Sequence, residues 1–133
     1  MTLLVDTNVL LDVLLDDPRW AEWSIQQLRA QASVHELAIN PVIYAEVSLA
    51  FSTIEALDAT LDRMRLAYHE VPKPALFLAG KAFERHRRRG GGKAQVLPDF
   101  VIGAHAAVRR WPLLTRDASR FRTYFPGLTV VAP

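Results

Sequence analysis

The chain has 133 residues, half of them hydrophobic and 23% charged, which is typical of one globular domain with a buried core. It contains no cysteine, and this excludes disulfides and metal sites built from thiolates. The net charge of +2 and a pI near 9.3 permit binding to nucleic acid without requiring it. Acidic residues at positions 6 and 12 interrupt the first apolar stretch. We therefore expect neither a signal peptide nor a membrane span, and we predict a single domain over residues 1–133 of a cytoplasmic protein.

A short apolar run at residues 3–5 ends abruptly in Asp6, Thr7 and Asn8. Such a run is typical of a central strand that is buried on both faces of a parallel sheet. Ligands of open parallel sheets bind beyond the carboxyl ends of the strands, which makes Asp6 a candidate site residue. The structural alternative is that Asp6 or Thr7 simply caps the helix that follows.

The next segments predict helices at residues 9–15 and 20–32, a strand at residues 37–39 and a helix at residues 41–51. Asn8, Asp12 and Asp16 are four residues apart and form one polar stripe on the first helix. We therefore predict that Asp12 lies on a solvated face and has a structural role.

Glu46 lies on the helix at residues 41–51 and has apolar neighbours on the helix surface. These neighbours are Val42, Ile43, Leu49 and Ala50. The pattern predicts a glutamate that faces the protein, where a lone carboxylate is costly unless a cation or a donor compensates it. Glu46 is thus a candidate site residue, and a core arginine partner or a position at the rim is the structural alternative.

A capping box at residues 52–55 predicts another helix, and residues 69–71 predict a short strand. A further helix begins at Pro74 and ends in a basic, glycine-rich run at residues 85–93. Cations and glycine are common at helix C-termini for structural reasons. The alternative is a phosphate-binding loop, for which the candidate RNA-binding residues are Arg87, Arg88, Arg89 and Lys93, with Arg116 further along the chain.

The last third of the chain repeats the pattern of a carboxylate near the start of a helix. Asp99 precedes an alanine-rich helix at residues 101–109 and is either a site residue or its N-cap. Residues 113–115 predict a strand that leads through Asp117 into a short helix, and residues 128–131 predict a final strand. The four histidines are scattered without metal-ligand spacing, so we interpret them as structural or surface residues.

Together, the four candidate carboxylates predict a metal site. If the sheet is parallel, the loops that carry Asp6, Asp99 and Asp117 can converge on one edge, and Glu46 can join them. Clustered carboxylates repel one another unless a cation compensates them, and an oxygen-only set favours Mg²⁺ or Mn²⁺ over zinc. Such an ion can activate water and stabilise in-line displacement at phosphorus. Neutral oxygens and donors around these ligands would come from Thr7, Asn8 and Thr115.

Four motifs, in this order, resemble those of the PIN-domain ribonucleases, and more closely the VapC-type toxins of bacterial toxin–antitoxin pairs. The motifs are the strand ending in Asp6-Thr7-Asn8, the helical Glu46, the segment at residues 98–106, and the segment at residues 113–117 followed by Phe121. The resemblance covers almost the whole chain. It implies an α/β fold, a three-layer α/β/α sandwich around a short, mainly parallel sheet.

The resemblance also implies a site and partners. Asp6, Glu46, Asp99 and Asp117 would form the acidic catalytic centre, and the first, third and fourth of them would hold Mg²⁺ or Mn²⁺. A homodimer, inhibition by a small antitoxin and promoter binding only through the antitoxin complex would follow. The RNA product would carry a 5′-phosphate and a 3′-hydroxyl.

The sequence therefore predicts a magnesium-dependent endoribonuclease that acts as the toxin of a toxin–antitoxin pair and inhibits translation or growth. One alternative is a non-catalytic RNA- or protein-binding module that blocks translation by occupancy. The other is a phosphoryl-transfer or receiver domain in which Asp6 accepts a phosphoryl group. Asn8 counts against its hydrolase form, which needs an acid two residues after the first aspartate.

Overall fold

The computed structural model describes residues 1–91 and 96–133, and a five-stranded sheet forms the middle of this part of the chain. All four strand pairs are parallel, and the strands lie in the order β3-β2-β1-β4-β5. The parallel sheet predicted from the sequence is thus confirmed. The strands are β1 (Thr2–Val5), β2 (Glu36–Ile39), β3 (Ala67–Tyr68), β4 (Leu113–Leu114) and β5 (Val130–Val131).

Helices connect the strands and begin at clear sequence signals. Asn40 caps α3 by accepting a hydrogen bond from the Ile43 amide at 3.0 Å, and Thr53 caps α4 by accepting one from the Ala56 amide at 3.1 Å. The helices are α1 (Thr7–Leu14), α2 (Ala21–Ala32), α3 (Pro41–Val47), α4 (Ile54–Arg63), α5 (Lys73–Arg88), α6 (Leu97–Arg109) and α7 (Ser119–Tyr124). A 3₁₀ turn, Ser48–Ala50, extends α3. None of the described helices is long and apolar enough to cross a membrane.

The central strand is covered on both faces. Leu3, Leu4 and Val5 are all fully buried, although successive side chains of a strand point to opposite faces of the sheet. Helices therefore pack on both sides, and the predicted three-layer α/β/α arrangement is confirmed. Continuous burial also explains why β1 is an uninterrupted apolar run rather than an alternating one.

Several predicted boundaries shift by a few residues. The predicted capping box begins at Ser52, but the cap is Thr53, one residue later. The strand predicted at residues 69–71 is displaced to Ala67–Tyr68, where it pairs with β2. Helix α6 begins at Leu97 because proline is well tolerated in a first helical turn, so Asp99 lies inside that turn and is not the N-cap.

Candidate active site

The strand order reverses between β1 and β4, and the candidate site lies beyond the carboxyl ends of these two strands. From this point, β1, β2 and β3 follow one another toward one edge of the sheet, and β4 and β5 follow one another toward the other edge. Open parallel sheets bind ligands in the crevice at such a reversal. The side chains that line the pocket come from distant parts of the chain: Asp6, Thr7, Asn8, Leu11, Glu46, Asp99, Asp117, Arg120 and Phe121.

Asp6 is both a helix cap and the buried floor of this pocket. Its side chain is almost fully buried. One carboxylate oxygen, Oδ1, accepts a hydrogen bond from the Thr7 amide at 2.7 Å and so begins α1. The other, Oδ2, accepts hydrogen bonds from the Thr115 hydroxyl at 2.8 Å and from Asn8 Nδ2 at 3.2 Å. Asp6 therefore caps α1, as the structural interpretation predicts, and it also lines the candidate pocket.

Burial strongly perturbs the acidity of Asp6. The loss of solvation is the largest cause, and it raises the pKa of the carboxyl to about 7. The hydrogen bond from Thr115 opposes this shift, while the negative charges of Asp99 and Glu46 add to it. A cation bound beside Asp6 would favour its charged form and oppose both effects.

Glu46 reaches the pocket from α3 and is held by Thr7, whose hydroxyl donates to Glu46 Oε1 at 2.6 Å. Glu46 thus faces the protein, as expected, but its apolar helix neighbours do not fully explain this position. Leu49, one of the apolar neighbours, is 88% exposed and cannot bury the carboxylate. The contact between α1 and α3 positions Glu46 instead.

Asp99 enters the pocket from the first turn of α6 and pairs with an arginine that the sequence did not single out. Arg120 Nη1 donates to Asp99 Oδ2 at 2.6 Å, and both side chains are about one-third exposed. Burial raises the pKa of the Asp99 carboxyl, and Arg120 opposes that shift. Among residues 1–91 and 96–133, no three histidine, aspartate or glutamate side chains are already arranged to hold one metal ion.

Asp117 lies on the exposed loop after β4, and three neutral groups hold this loop against the start of α1. The Asp117 amide donates to the Thr115 hydroxyl oxygen at 3.1 Å. Asn8 Nδ2 donates to the same oxygen at 3.2 Å, and Asn8 Oδ1 accepts from the Arg116 amide at 3.3 Å. Asn8 and Thr115 therefore connect the β1–α1 and β4–α7 loops.

The prediction for Asp12 was wrong about its environment. Asp12 is only 2% exposed. Its carboxylate accepts hydrogen bonds from Arg116 Nε at 2.9 and 3.1 Å and from the Ser24 hydroxyl at 2.8 Å. Its helical spacing from Asn8 and Asp16 gave no sign of this, because both partners are distant in the sequence. The RNA contact of Arg116 stays a prediction, and in this structure its guanidinium is held by Asp12.

The arginines of the basic run lie at the exposed C-terminal end of α5, and none of them lines the pocket described above. Arg87 stacks over Phe83, and Arg89 stacks over Tyr124, with guanidinium-to-ring distances of 5.9 and 5.5 Å. The cationic end of the helix matches the structural explanation and leaves phosphate binding as a prediction. Lys93 lies outside the described residues.

His105 matches the interpretation of the histidines as structural or surface residues. His105 is fully buried, and its Nδ1 lies 3.1 Å from Asn40 Nδ2. The Asn40 oxygen already accepts from Ile43, so the amide nitrogen donates to the ring. Burial lowers the pKa of His105 to about 4, which keeps the imidazole neutral.

Comparisons with known proteins agree with the fold. The family model described as PIN domain matches residues 3–125. The chain is similar in structure to VapBC2 from Rickettsia felis bound to a promoter DNA fragment, with a TM-score of 0.75 and 20% identity over 100% of this chain and 99% of the other. It is also similar to DNA-bound VapBC from Salmonella typhimurium, with a TM-score of 0.72 and 18% identity over 99% and 98% of the two chains.

A third similar structure is FitAcB from Neisseria gonorrhoeae, with a TM-score of 0.65 and 19% identity over 98% and 96% of the two chains. No curated protein matches the chain in sequence. The identities to the solved structures are low, so these likenesses establish the fold alone. The family model extends across nearly the whole sheet, from β1 through α7. The chain belongs to the PIN domain family.

Proposed function

We propose that this chain is a magnesium-dependent endoribonuclease. One observation carries the proposal: four carboxylates from four separate segments line one pocket at the reversal point of the sheet. The proposed catalytic residues are Asp6, Glu46, Asp99 and Asp117. Family membership adds support, because the residues that resemble the PIN-domain motifs are the same ones that line the pocket.

The donor set fits a hard divalent cation. All candidate ligands are oxygens. Burial is the main cause of the raised pKa of Asp6, and the nearby negative charges of Asp99 and Glu46 add to it. Asp6, Asp99 and Asp117 would hold Mg²⁺ or Mn²⁺. A bound ion would supply the Lewis acidity that activates water and neutralises charge at the phosphodiester.

The surrounding residues have distinct proposed tasks. Glu46, held by the Thr7 hydroxyl at 2.6 Å, would complete the ligand set or orient the attacking water and accept its proton. Thr115 would keep Asp6 Oδ2 in place through its 2.8 Å hydrogen bond. Asn8 would hold the β1–α1 and β4–α7 loops together, so that Asp6 and Asp117 keep fixed positions relative to each other.

We further propose that the protein is the toxin of a toxin–antitoxin pair and inhibits growth or translation in the cytoplasm by cutting RNA. The VapBC structures from Rickettsia felis and Salmonella typhimurium are bound to DNA, and the former DNA is a fragment of their promoter. By analogy, the partner here would be a small inhibitory antitoxin that carries the promoter contact, and the chain itself would form a homodimer. The analogy rests on fold and family.

The first test is cleavage of a pool of cellular RNA by purified, antitoxin-free protein with Mg²⁺ or with chelator. The variants are Asp6→Ala and, as a matched control, Asp62→Asn on the exposed face of α4. Wild type and Asp62→Asn should cut at defined sites only with Mg²⁺, and Asp6→Ala should not cut. Metal-independent cutting, or cutting by Asp6→Ala at the wild-type rate, would refute the proposed site.

The Asp99→Ala variant distinguishes the nuclease hypothesis from the hypothesis that the protein acts by binding alone. Asp99 is about one-third exposed, so its loss should abolish cleavage while the circular dichroism spectrum and unfolding midpoint change little. If Asp99→Ala still arrests growth when expressed without antitoxin, the protein acts by binding rather than by cutting. An acid-labile phosphate on Asp6 after treatment with acetyl phosphate would instead support the receiver-domain alternative.

A further inference from the structure

Arg120 is the one cationic side chain among the described residues that line the acidic pocket. It reaches the pocket from the first turn of α7, where its Nη1 atom is 2.6 Å from Asp99 Oδ2. The neighbouring Arg122 on the same short helix is exposed and does not line the pocket. Arg120 thus occupies a particular position, and it does not merely share in a general surface charge.

The pairing has two consequences for a pocket of carboxylates. A guanidinium next to Asp99 relieves part of the repulsion among the acids, so it stabilises the pocket without a metal ion. It also ties up Asp99 Oδ2, one of the oxygens that a metal ion would need, and it repels any incoming divalent cation. A metal ion that binds this oxygen therefore competes with Arg120.

A displaced Arg120 side chain would lie close to the proposed site of phosphodiester cleavage. About one-third of the Arg120 side chain is exposed, so it can move without disturbing the core. Guanidinium groups bind phosphate oxygens through paired hydrogen bonds, and they stabilise the charge that develops at phosphorus. A phosphate bound next to the acidic residues could therefore replace Asp99 as the partner of the Arg120 guanidinium.

We propose that Arg120 is exchanged between two partners: it holds Asp99 before the metal binds, and it contacts the scissile RNA phosphate afterwards. This inference rests on the proposed nuclease function and extends it. It makes Arg120 a competitor of the metal in the free protein and a phosphate contact in the substrate complex. Removal of the Arg120 charge should therefore strengthen Mg²⁺ binding and slow RNA cleavage.

The test compares wild type, Arg120→Gln and the matched control Arg122→Gln, all checked for folding by circular dichroism. Mg²⁺ affinity is measured by calorimetry without RNA, and single-turnover RNA cleavage is measured at saturating Mg²⁺. Arg120→Gln should bind Mg²⁺ about tenfold more tightly, because a competing ion pair and a repelling charge are lost. It should also cleave at least about tenfold more slowly, because a phosphate contact is lost. Arg122→Gln should match wild type in both.

The combination of tighter metal binding and slower cleavage distinguishes this role from a structural one, since a damaged pocket would weaken both. Equal or weaker Mg²⁺ affinity in Arg120→Gln would overturn the competitor role, and an unchanged cleavage rate would overturn the phosphate role. If wild type binds Mg²⁺ but cuts no RNA, the proposed function fails, while the calorimetry still decides the competition. If no variant binds Mg²⁺, the proposed function and this inference both fail.

Discussion

At the residue scale, Asp6 shows how one side chain combines folding and chemistry. Its two oxygens cap α1 and anchor Thr115, so three hydrogen bonds hold it in place. The same burial that makes this geometry rigid removes the carboxylate from water and raises its pKa to about 7. The metal-free pocket therefore holds a proton on Asp6 through much of the acidic range.

This shift predicts a pH dependence of metal binding. A metal ion needs the Asp6 carboxylate, so below pH 7 binding must expel a proton, and above pH 7 it need not. Mg²⁺ affinity should rise by up to about tenfold per pH unit below pH 7 and level off above it. The raised pKa of Asp99 acts in the same direction. Calorimetry in two buffers of different ionisation enthalpy would measure both affinity and proton release, and pH-independent affinity from pH 5.5 to 8.5 would contradict the prediction.

At the scale of secondary-structure elements, a buried ion pair holds the loop after β4 against two helices. Arg116 on this loop donates to Asp12 of α1, and Ser24 of α2 donates to the same carboxylate. Arg116 also stacks over Trp20, 5.7 Å from its guanidinium carbon to the ring centre. Since Asp117 follows directly, this contact links the packing of α1 and α2 to the geometry of the site.

Asp12→Asn should therefore destabilise the protein by about 2 kcal/mol, because it leaves the partly buried guanidinium of Arg116 without its charged partner. Urea unfolding would measure the loss. The control is Asp16→Asn, since Asp16 is exposed just beyond the end of α1 and has a positive φ of 50°, which asparagine also tolerates. Equal stability of the two variants would show that the ion pair contributes nothing.

The contact between α6 and α7 depends on the absence of a side chain at Gly103. A Cβ atom there would lie 2.6 Å from the Phe125 ring and 3.0 Å from Phe121. Gly103→Ala should therefore destabilise the fold by about 2 kcal/mol. Gly80→Ala on α5 has nothing within 4 Å of the new atom. It should stabilise the fold by about 0.5–1 kcal/mol through helix propensity, and urea unfolding of both variants would check the opposite signs.

At the scale of the whole molecule, charge is divided between an acidic pocket and a basic helix end. The pocket has four carboxylates and one arginine, whereas the last turn of α5 has three arginines and a histidine. We expect an RNA backbone to be repelled by the first surface without a metal ion and attracted by the second. The basic end would then offer an attachment point that does not depend on the metal.

Neutralising arginines 87–89 together should lower RNA affinity and flatten its salt dependence. Three lost phosphate contacts would reduce the slope of log K against log salt by about 2 for single-stranded RNA. The matched control neutralises three exposed arginines elsewhere, Arg29, Arg63 and Arg109. Filter binding across a salt series would measure both variants, and an identical slope for the two would remove the RNA-binding role of the basic run.

Much of the architecture was predictable because it depends on local rules. The apolar run before Asp6 marked a buried strand, and Asn40-Pro41 marked a helix start, since caps and periodicity act within a few residues. The start of α6 was displaced because a tolerated proline let this helix begin early. The lining of one pocket by Asp6, Asp99 and Asp117 was predictable, because each stands near a strand end or a helix start that a parallel sheet brings to one edge. Glu46 was expected from its helix neighbours, but the contact between α1 and α3 carries it into the pocket.

Local signals were enough to predict the parallel sheet and the acids at its carboxyl edge, because strands, caps and motifs are encoded by neighbouring residues. The cationic partners of the acidic side chains depend on tertiary packing. Arg120 meets Asp99 across 21 positions, and Arg116 meets Asp12 across 104. No periodicity or spacing encodes such pairs, since they form only when packing brings distant segments together.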